Sequence, residues 1–499
     1  MFTEPVSFTD VIIPILPEVG LTLLLILVVV LDLAFRPVRR RAVGVVTGVG
    51  MLVILAVNVA VGLTFVRDEA FAEPVLGGMI HFDMVSVIFH SVVLLAGALT
   101  SLISVDLPGV ARKGEFYAIL IVATLGLSLM TTASDLVMLF LSLETASISL
   151  YVLAGFLRET RQSTEAGIKY FLFGAASAGV FLYGLSLLFG FTGTTNIYDM
   201  AEPLGALISG NAEGMFGLII ALLFMLVGFG FKISAVPFHF WTPDVYEGAP
   251  TSVTAFVSTA SKAASFALLV RVFAIVWPAE AAPYWTGLLA AIAVLTMSLG
   301  NLLALVQTNI KRLLAYSSIA QAGYTLIGVV ALTETELGLA AVAFYLLMYV
   351  LTNILAFTVI IAVSNTTGSD QIADFAGLSR RKPYLALAMV LALLSLGGVP
   401  PLAGFFGKFF LFAAAVRAGY VWLAIIGVLN SILALYYYLT VIKVMYVDPQ
   451  VDDAPVFLRP ASSAVVWITA IGVLVMGTIA GPWWNWALDA ATTFAAVLP

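Results

Sequence analysis

The chain reads as an all-α, polytopic membrane protein with about 14 transmembrane helices, two of them broken. Of its 499 residues 62% are hydrophobic and only 10% charged, against roughly 25% charged in an ordinary soluble domain. Apolar runs recur along the whole length, most of them long enough to cross about 30 Å of hydrocarbon as a helix of about 20 residues. No alternating strand pattern accompanies them, and in lipid the helix then satisfies the backbone internally. The first ten residues, MFTEPVSFTD, lack a basic region, so the first apolar run is expected as a retained helix and not a cleaved signal.

The runs place spans near residues 11–35, 42–65, 81–104, 116–133, 135–156, 168–190, 215–246, 252–276, 284–306, 313–332, 337–363, 384–417, 420–446 and 462–482. Two of them, 215–246 and 384–417, exceed the bilayer length and carry internal breaks, VPFHFW and GGVPPLAGFFGKF. Proline removes a backbone donor and clashes with the preceding turn, so a broken span is tolerated where it lines a cavity. If 116–276 and 284–446 are two five-span units, each is broken in its fourth span. An odd number of spans inverts one unit relative to the other, the inverted-repeat arrangement of many transporters. Loops are too short to fold alone, and 1–499 is expected to be one membrane domain.

Lys and Arg gather in alternate loops: Arg36, Arg39, Arg40 and Arg41; Arg112 and Lys113; Arg158, Arg161 and Lys169; Lys311 and Arg312; Arg380, Arg381 and Lys382; Arg459. The opposite loops hold Arg67 and Arg417. The basic side is expected to be cytoplasmic, with both termini on the other side.

There is no cysteine, which excludes iron–sulfur clusters, disulfides and thiol chemistry. His81, His90 and His239 are too few for a multi-haem or multi-copper centre. The net charge of −6 speaks against nucleic acid.

Four ionisable residues fall deep within spans: Glu144 in LFLSLETASISLY, Lys232, Lys262 in VSTASKAASF, and Lys408 in GFFGKFF. Each costs about 2.5–3.5 kcal/mol at a helix centre on insertion scales, which calls for a partner or a function. Glu144 and Lys232 are expected to pair; no carboxylate is evident for Lys262, which favours a proton-carrying role. Lysine suits such a role, because burial disfavours its charged form and a nearby carboxylate restores it. His239, just past the first break, has an unperturbed pKa near 6.5 suited to proton relay. Arg271, Lys443, Asp106 and Asp32 sit near span ends and are expected at the membrane interface.

The stretches HFWTPDVYEGAPTSVTAFVSTASK, QTNIKRLLAYSSIAQAGY, SLGGVPPLAGFFGKFFLF and DLVMLFLSLETASISLYVLAG resemble the subunit N family of proton-pumping NADH:quinone oxidoreductase, respiratory complex I. The resemblance covers nearly the whole chain. It implies a translocase subunit that binds no cofactor itself, within a hetero-oligomeric complex that uses NADH and quinone, embedded in the bacterial inner membrane beside other membrane-arm subunits. It implies that Glu144 and Lys232 form a modulating pair, with Lys262 the central and Lys408 the terminal proton carrier. Related pump subunits and multi-subunit sodium/proton antiporters typically carry glutamate where this chain has Lys408. Many relatives have histidine where this chain has Gln321, which can orient water but cannot hold a proton. A sodium/proton antiporter subunit and a purely structural membrane-arm scaffold are the alternative readings.

Overall fold

The computed structural model describes residues 12–34, 41–64, 74–210, 212–332, 336–450 and 455–496. Arg36, Arg39, Arg40 and Arg67 lie outside the described residues. The chain starts with α1 (Leu16–Ala34), α2 (Arg41–Thr64), α3 (Met84–Ser104), α4 (Gly114–Thr132), α5 (Leu136–Ala154) and α6 (Arg161–Thr192). A short α7 (Ala201–Gly210) precedes α8 (Ala212–Ile233) and α9 (Trp241–Gly248), the two halves of the first broken span. Then come α10 (Thr251–Ile275), α11 (Ala282–Ala304), α12 (Ile310–Val330) and α13 (Leu337–Thr367). The second broken span is α14 (Pro383–Gly397) with α15 (Ala403–Arg417), followed by α16 (Val421–Tyr446), α17 (Pro460–Thr478) and α18 (Gly481–Ala495).

Among the described residues, 13 helices are long and apolar enough to cross a membrane. The pair α14 and α15 supplies a further, interrupted crossing, in agreement with the expected number. Helices α3, α10, α12 and α13 are almost wholly buried and form the core, whereas α1, α6 and α16 keep exposed apolar faces such as Leu23, Phe171 and Ile432. Beyond α17 the chain forms one further helix. This helix, α18, buries Ala487, Ala490, Ala491 and Phe494, at helical spacing, on one face.

Both breaks end their first half in the same way. At the end of α8, Ser234 is in the left-handed region (φ 64°); Ser234 N donates to Phe231 O and Ala235 N to Gly230 O. At the end of α14, Gly398 takes φ 85°; Gly398 N donates to Ser395 O and Val399 N to Leu394 O. This is the Schellman arrangement, which satisfies carbonyls that a helix end leaves free. Glycine adopts it without strain, and serine does so only under tertiary constraint.

A second motif also occurs twice. Asp135 caps α5 and Asn309 caps α12, each accepting from the two backbone N–H groups at the helix start. Asp135 bridges to Asn196 after α6, and Asn309 to Gln371 after α13. In both places the long helix ends in a left-handed glycine, Gly193 or Gly368, preceded by a threonine, Thr192 or Thr367, whose hydroxyl accepts from the N–H two residues on.

Candidate functional site

The buried lysines sit on or beside the breaks. Lys232 occupies the last turn of α8, where the negative end of the helix dipole favours a cation. Its Nζ donates to Ser147 Oγ at 2.5 Å. It does not bond directly to Glu144, whose Oε1 is buried without a hydrogen-bond partner. The two residues instead line one cavity of about 10 Å³ together with Tyr151 and Phe181, a volume on the scale of about one water molecule. The expected pair is therefore coupled through charge across a gap, while Lys232 is held by Ser147, one turn along α5 from Glu144.

Lys262 follows a π-turn, Val257–Ser261, inside α10. Such turns displace a side chain from the regular helical ladder and recur at functional positions. Lys262 is 2% exposed, and its Nζ donates to Ser318 O at 2.5 Å and to Ser318 Oγ at 2.6 Å. Tyr349 donates to the same hydroxyl at 2.9 Å, and Tyr246 OH lies 3.1 Å from it. Among the described residues no carboxylate lies within ion-pair distance of Lys262, as its sequence context suggested.

Lys408, 4% exposed, is an interior group and does not reach for the interface. Its Nζ lies 4.4 Å from the centre of the Tyr324 ring, a cation–π contact. It donates to Ser431 Oγ at 3.2 Å and to Gly397 O at 3.4 Å. Gly397 O is one of the carbonyls freed at the end of α14, so the break supplies an acceptor for the lysine.

Helix α12 joins the two lysines. Ser318, Gln321 and Tyr324 recur at helical spacing on one face, spanning about 9 Å along the axis. Gln321 donates to Leu396 O at 3.1 Å and to Tyr438 OH at 3.3 Å, and accepts from Tyr345 OH. Tyr438 OH is 2.5 Å from Ser317 Oγ. Asn301 links Tyr437, Tyr324 and Asn430. Hydroxyl and amide clusters thus line α12 between the lysines, one at Ser318 and one at Gln321, and among the described residues no hydrogen bond joins the two; Tyr345, Tyr349 and Tyr438 were not legible as site residues because each lies in an apolar run. Gln321 is the bonded centre of the second cluster.

His239 lies in the first break, buried at 7% exposure and stacked 4.6 Å from the Phe240 ring. Phe240 itself is exposed, which places His239 beneath the chain's outer surface. No hydrogen bond among the described residues joins it to Lys232 or Lys262.

The motifs around α9 and the start of α12 form ion pairs. Asp244 binds Lys169 at 2.5 Å and Arg312 at 2.8 Å, and Glu247 binds Arg312 at 2.7 Å. Lys311 is buried and donates to Glu247 O and Ala249 O. Part of the basic bias in the loops is therefore a clasp between α6, α9 and α12.

Arg271 departs from expectation. It is fully buried and not interfacial, because Asp83, capping α3, turns in to meet it at 2.9 Å. Arg271 also donates to Ser86 and Tyr198, and Tyr198 OH lies 2.7 Å from His81 Nδ1. Burial alone would raise the Asp83 carboxyl, but Arg271 and His81 together hold it well below the usual carboxylate range.

The family described as NADH:quinone oxidoreductase/Mrp antiporter, TM, matches residues 133–434, more than half of the chain. The chain belongs to this antiporter family. Within it, the chain is 42% identical over 496 residues to the NADH-quinone oxidoreductase subunit N of Anaeromyxobacter sp., covering 94% of this chain and 93% of the relative. It is 44% identical to the NAD(P)H-quinone oxidoreductase subunit 2 of Trichormus variabilis, covering 94% and 90%. A chain of respiratory complex I from Thermus thermophilus superposes with a TM-score of 0.77 at 35% identity, covering 94% and 98%. As an antiporter-family member with these helices, the protein is a multi-pass membrane protein. Glu144, Lys232, His239, Lys262 and Lys408 all lie in the matched segment.

Proposed function

We propose that the chain is the antiporter-like, proton-translocating membrane subunit of an NADH:quinone oxidoreductase, a translocase subunit of the subunit N type. NADH oxidation and quinone reduction belong to partner subunits, and this chain binds no cofactor of its own. It sits beside other membrane-arm subunits in the bacterial inner membrane, with both termini on the non-cytoplasmic side. Residues 116–276 and 284–446 act as two inverted five-helix repeats, a reading supported by their matching helix-end and capping motifs.

The observation that carries the reading is the pair of buried lysines, Lys262 and Lys408, held by neutral groups at the two ends of one polar face of α12. A lysine without a bonded carboxylate changes its protonation when nearby charge changes. Protons pass from the cytoplasmic side near the first break, with His239 at the inlet, to Lys262, then to Lys408 and the outer face. Glu144 and Lys232, coupled across their cavity, set the field that Lys262 feels. The free energy to be met is about 2.3 kcal/mol per charge per 100 mV. An interaction of a few kcal/mol between close charges at intermediate dielectric is of that size.

Lys262→Ala in the intact complex, reconstituted in vesicles, tests this. Proton pumping is expected to be lost and quinone reduction to fall with it through tight coupling. Full pumping by the variant overturns the carrier role. Co-purification with quinone-reducing partners separates this function from that of a sodium/proton antiporter subunit.

A further inference from the structure

The helices before residue 133 lie outside the matched family segment, yet they bury an acid–base pair that the lysine path does not use. His90 on α3 is fully buried, and its Nε2 lies 3.2 Å from Glu18 Oε1 on α1. Ser128 Oγ on α4 donates to the same carboxylate oxygen at 2.9 Å, and Glu18 Oε2 is buried without a hydrogen-bond partner.

The surroundings of the second ring nitrogen decide the protonation state. His90 Nδ1 faces Asn58 Oδ1 on α2 at 3.4 Å. That end of Asn58 is the carbonyl, because its Nδ2 donates to Val87 O at 2.9 Å and to Ser91 Oγ at 3.0 Å. Ser91 has already given its only proton to Val87 O, at 2.7 Å, so its oxygen can only accept. Nε2 likewise meets only acceptors, Ser128 O at 3.0 Å and Glu18 Oε1. A neutral imidazole bonded through both nitrogens needs a donor beside one of them, and here both nitrogens face acceptors, which is the pattern of an imidazolium.

The charges that face this site from the packed elements are few. Helix α2 contributes neutral Asn58 and α4 neutral Ser128. Just before α3, Asp83 is paired with Arg271 of α10, and His81 lies against Asp83. Asp32, Arg41 and Glu115 stand at the opposite ends of α1, α2 and α4, roughly three turns away or more. On α5, Glu144 lines its own cavity with Lys232; Lys262 of α10 is held by Ser318. Helices α13 and α17 carry no charged residue, and Asp489 of α18 is exposed.

We propose that Glu18 and His90 form a separate proton-binding site, a carboxylate–imidazolium pair that clamps α1 and α2 onto α3 and α4. Loss of the Nδ1 proton to water leaves Nε2–H donating to a buried carboxylate from a neutral ring, and the site passes from net neutral to net negative. Protonation of Glu18 instead leaves the imidazolium without its counter-charge. The clamp therefore holds best between these two titrations and loosens on either side, whatever the lysines of the core do.

The test measures thermal dissociation of the assembled complex as a function of pH for the wild type, H90K, H90Q, E18Q and the double variant E18Q/H90Q. The wild type is expected to lose stability on the alkaline side, while H90K, whose cation persists to higher pH, keeps it there. H90Q is expected to be weakened at neutral pH, and E18Q/H90Q to regain most of that loss because no unpaired charge remains. An H90Q complex with wild-type stability and an unchanged pH profile overturns the proposal, as does a double variant no better than H90Q. If H90Q and E18Q do not assemble, assembly of both H90K and the double variant supports the pair, and failure of either overturns it.

Discussion

Lys262 on α10 and Ser318 on α12 are joined twice, through the serine carbonyl at 2.5 Å and its hydroxyl at 2.6 Å. The hydroxyl is also the meeting point of Tyr246 and Tyr349, so it ties the lysine to α9 and α13 as well. Ser318→Ala keeps the carbonyl acceptor and removes this junction. Quinone reduction and pumping are expected to fall together by roughly tenfold, corresponding to about 1.4 kcal/mol of barrier. Vesicle assays of both activities check this, and an unchanged rate would leave Ser318 with a packing role only.

Gln321 bonds Leu396 O, Tyr438 and Tyr345 at once, so its loss should exceed that of an ordinary polar residue. Gln321→Leu leaves buried groups unpartnered, at about 1–3 kcal/mol each, and is expected to slow turnover strongly. Gln321→His keeps part of the bonding and adds a titratable group of unperturbed pKa near 6.5. Its rate profile is expected to acquire a new pH dependence that the wild type lacks, readable from turnover across pH 5 to 9, on the order of one titration.

The parts of this site that could be read from the chain are those whose signal is local. A proline after an apolar run announces the breaks at Pro237 and Pro401, and a lysine in such a run announces Lys262 and Lys408. The tyrosines between them have no local signal, since Tyr345, Tyr349 and Tyr438 look like core aromatics until α13 and α16 are packed against α12. Arg271 was misplaced for the same reason. Its position near a span end says interface, and only the return of Asp83, 188 residues away, says interior. Glu18 and His90 carry no local signal either, since the pair exists only once α1 is packed against α3 and α4. The π-turn before Lys262 has no composition of its own, and α18 hid because its buried face is mostly alanine.

Lys408 is held by an aromatic face and two oxygen acceptors. Lys408→Met fills the space without a titratable group and is expected to abolish pumping. Lys408→Glu restores a titratable group but sets a carboxylate against the Tyr324 ring and Gly397 O, neither of which donates to it. Retained turnover in Lys408→Glu would mean that the terminal site needs only a group able to exchange a proton. Loss in both variants would mean that it needs a cation. Paired pumping and quinone-reduction measurements separate the two outcomes.

The second break depends on Gly404 as well as on Gly398. A Cβ at Gly404 would collide with Ser395 O, a backbone atom of α14, while Gly404 N donates to Ser395 Oγ at 3.1 Å. Gly404→Ala is expected to force the two half-helices apart at a cost of about 1–3 kcal/mol. The freed acceptor at Gly397 would move with them. The check is a lowered dissociation temperature of the complex together with a loss of pumping larger than the loss of assembled subunit.

Asp83 and Arg271 give the chain an acid-sensitive lock. The folded pKa of Asp83 lies below its unfolded value, so its stabilisation is present above about pH 4, the unfolded carboxylate range. It is lost as pH falls through the folded value. Asp83→Asn leaves the fully buried Arg271 guanidinium without its carboxylate, a change that costs about 3–5 kcal/mol where a buried pair is broken. The variant complex is therefore expected to dissociate at a lower temperature than the wild type at pH ~7. As pH falls below the unfolded carboxylate range the wild type loses the same interaction, and the gap between the two should close. A gap that stayed constant down to the acid limit of the complex would show that the aspartate acts through its capping bonds to Ser86 and not through charge.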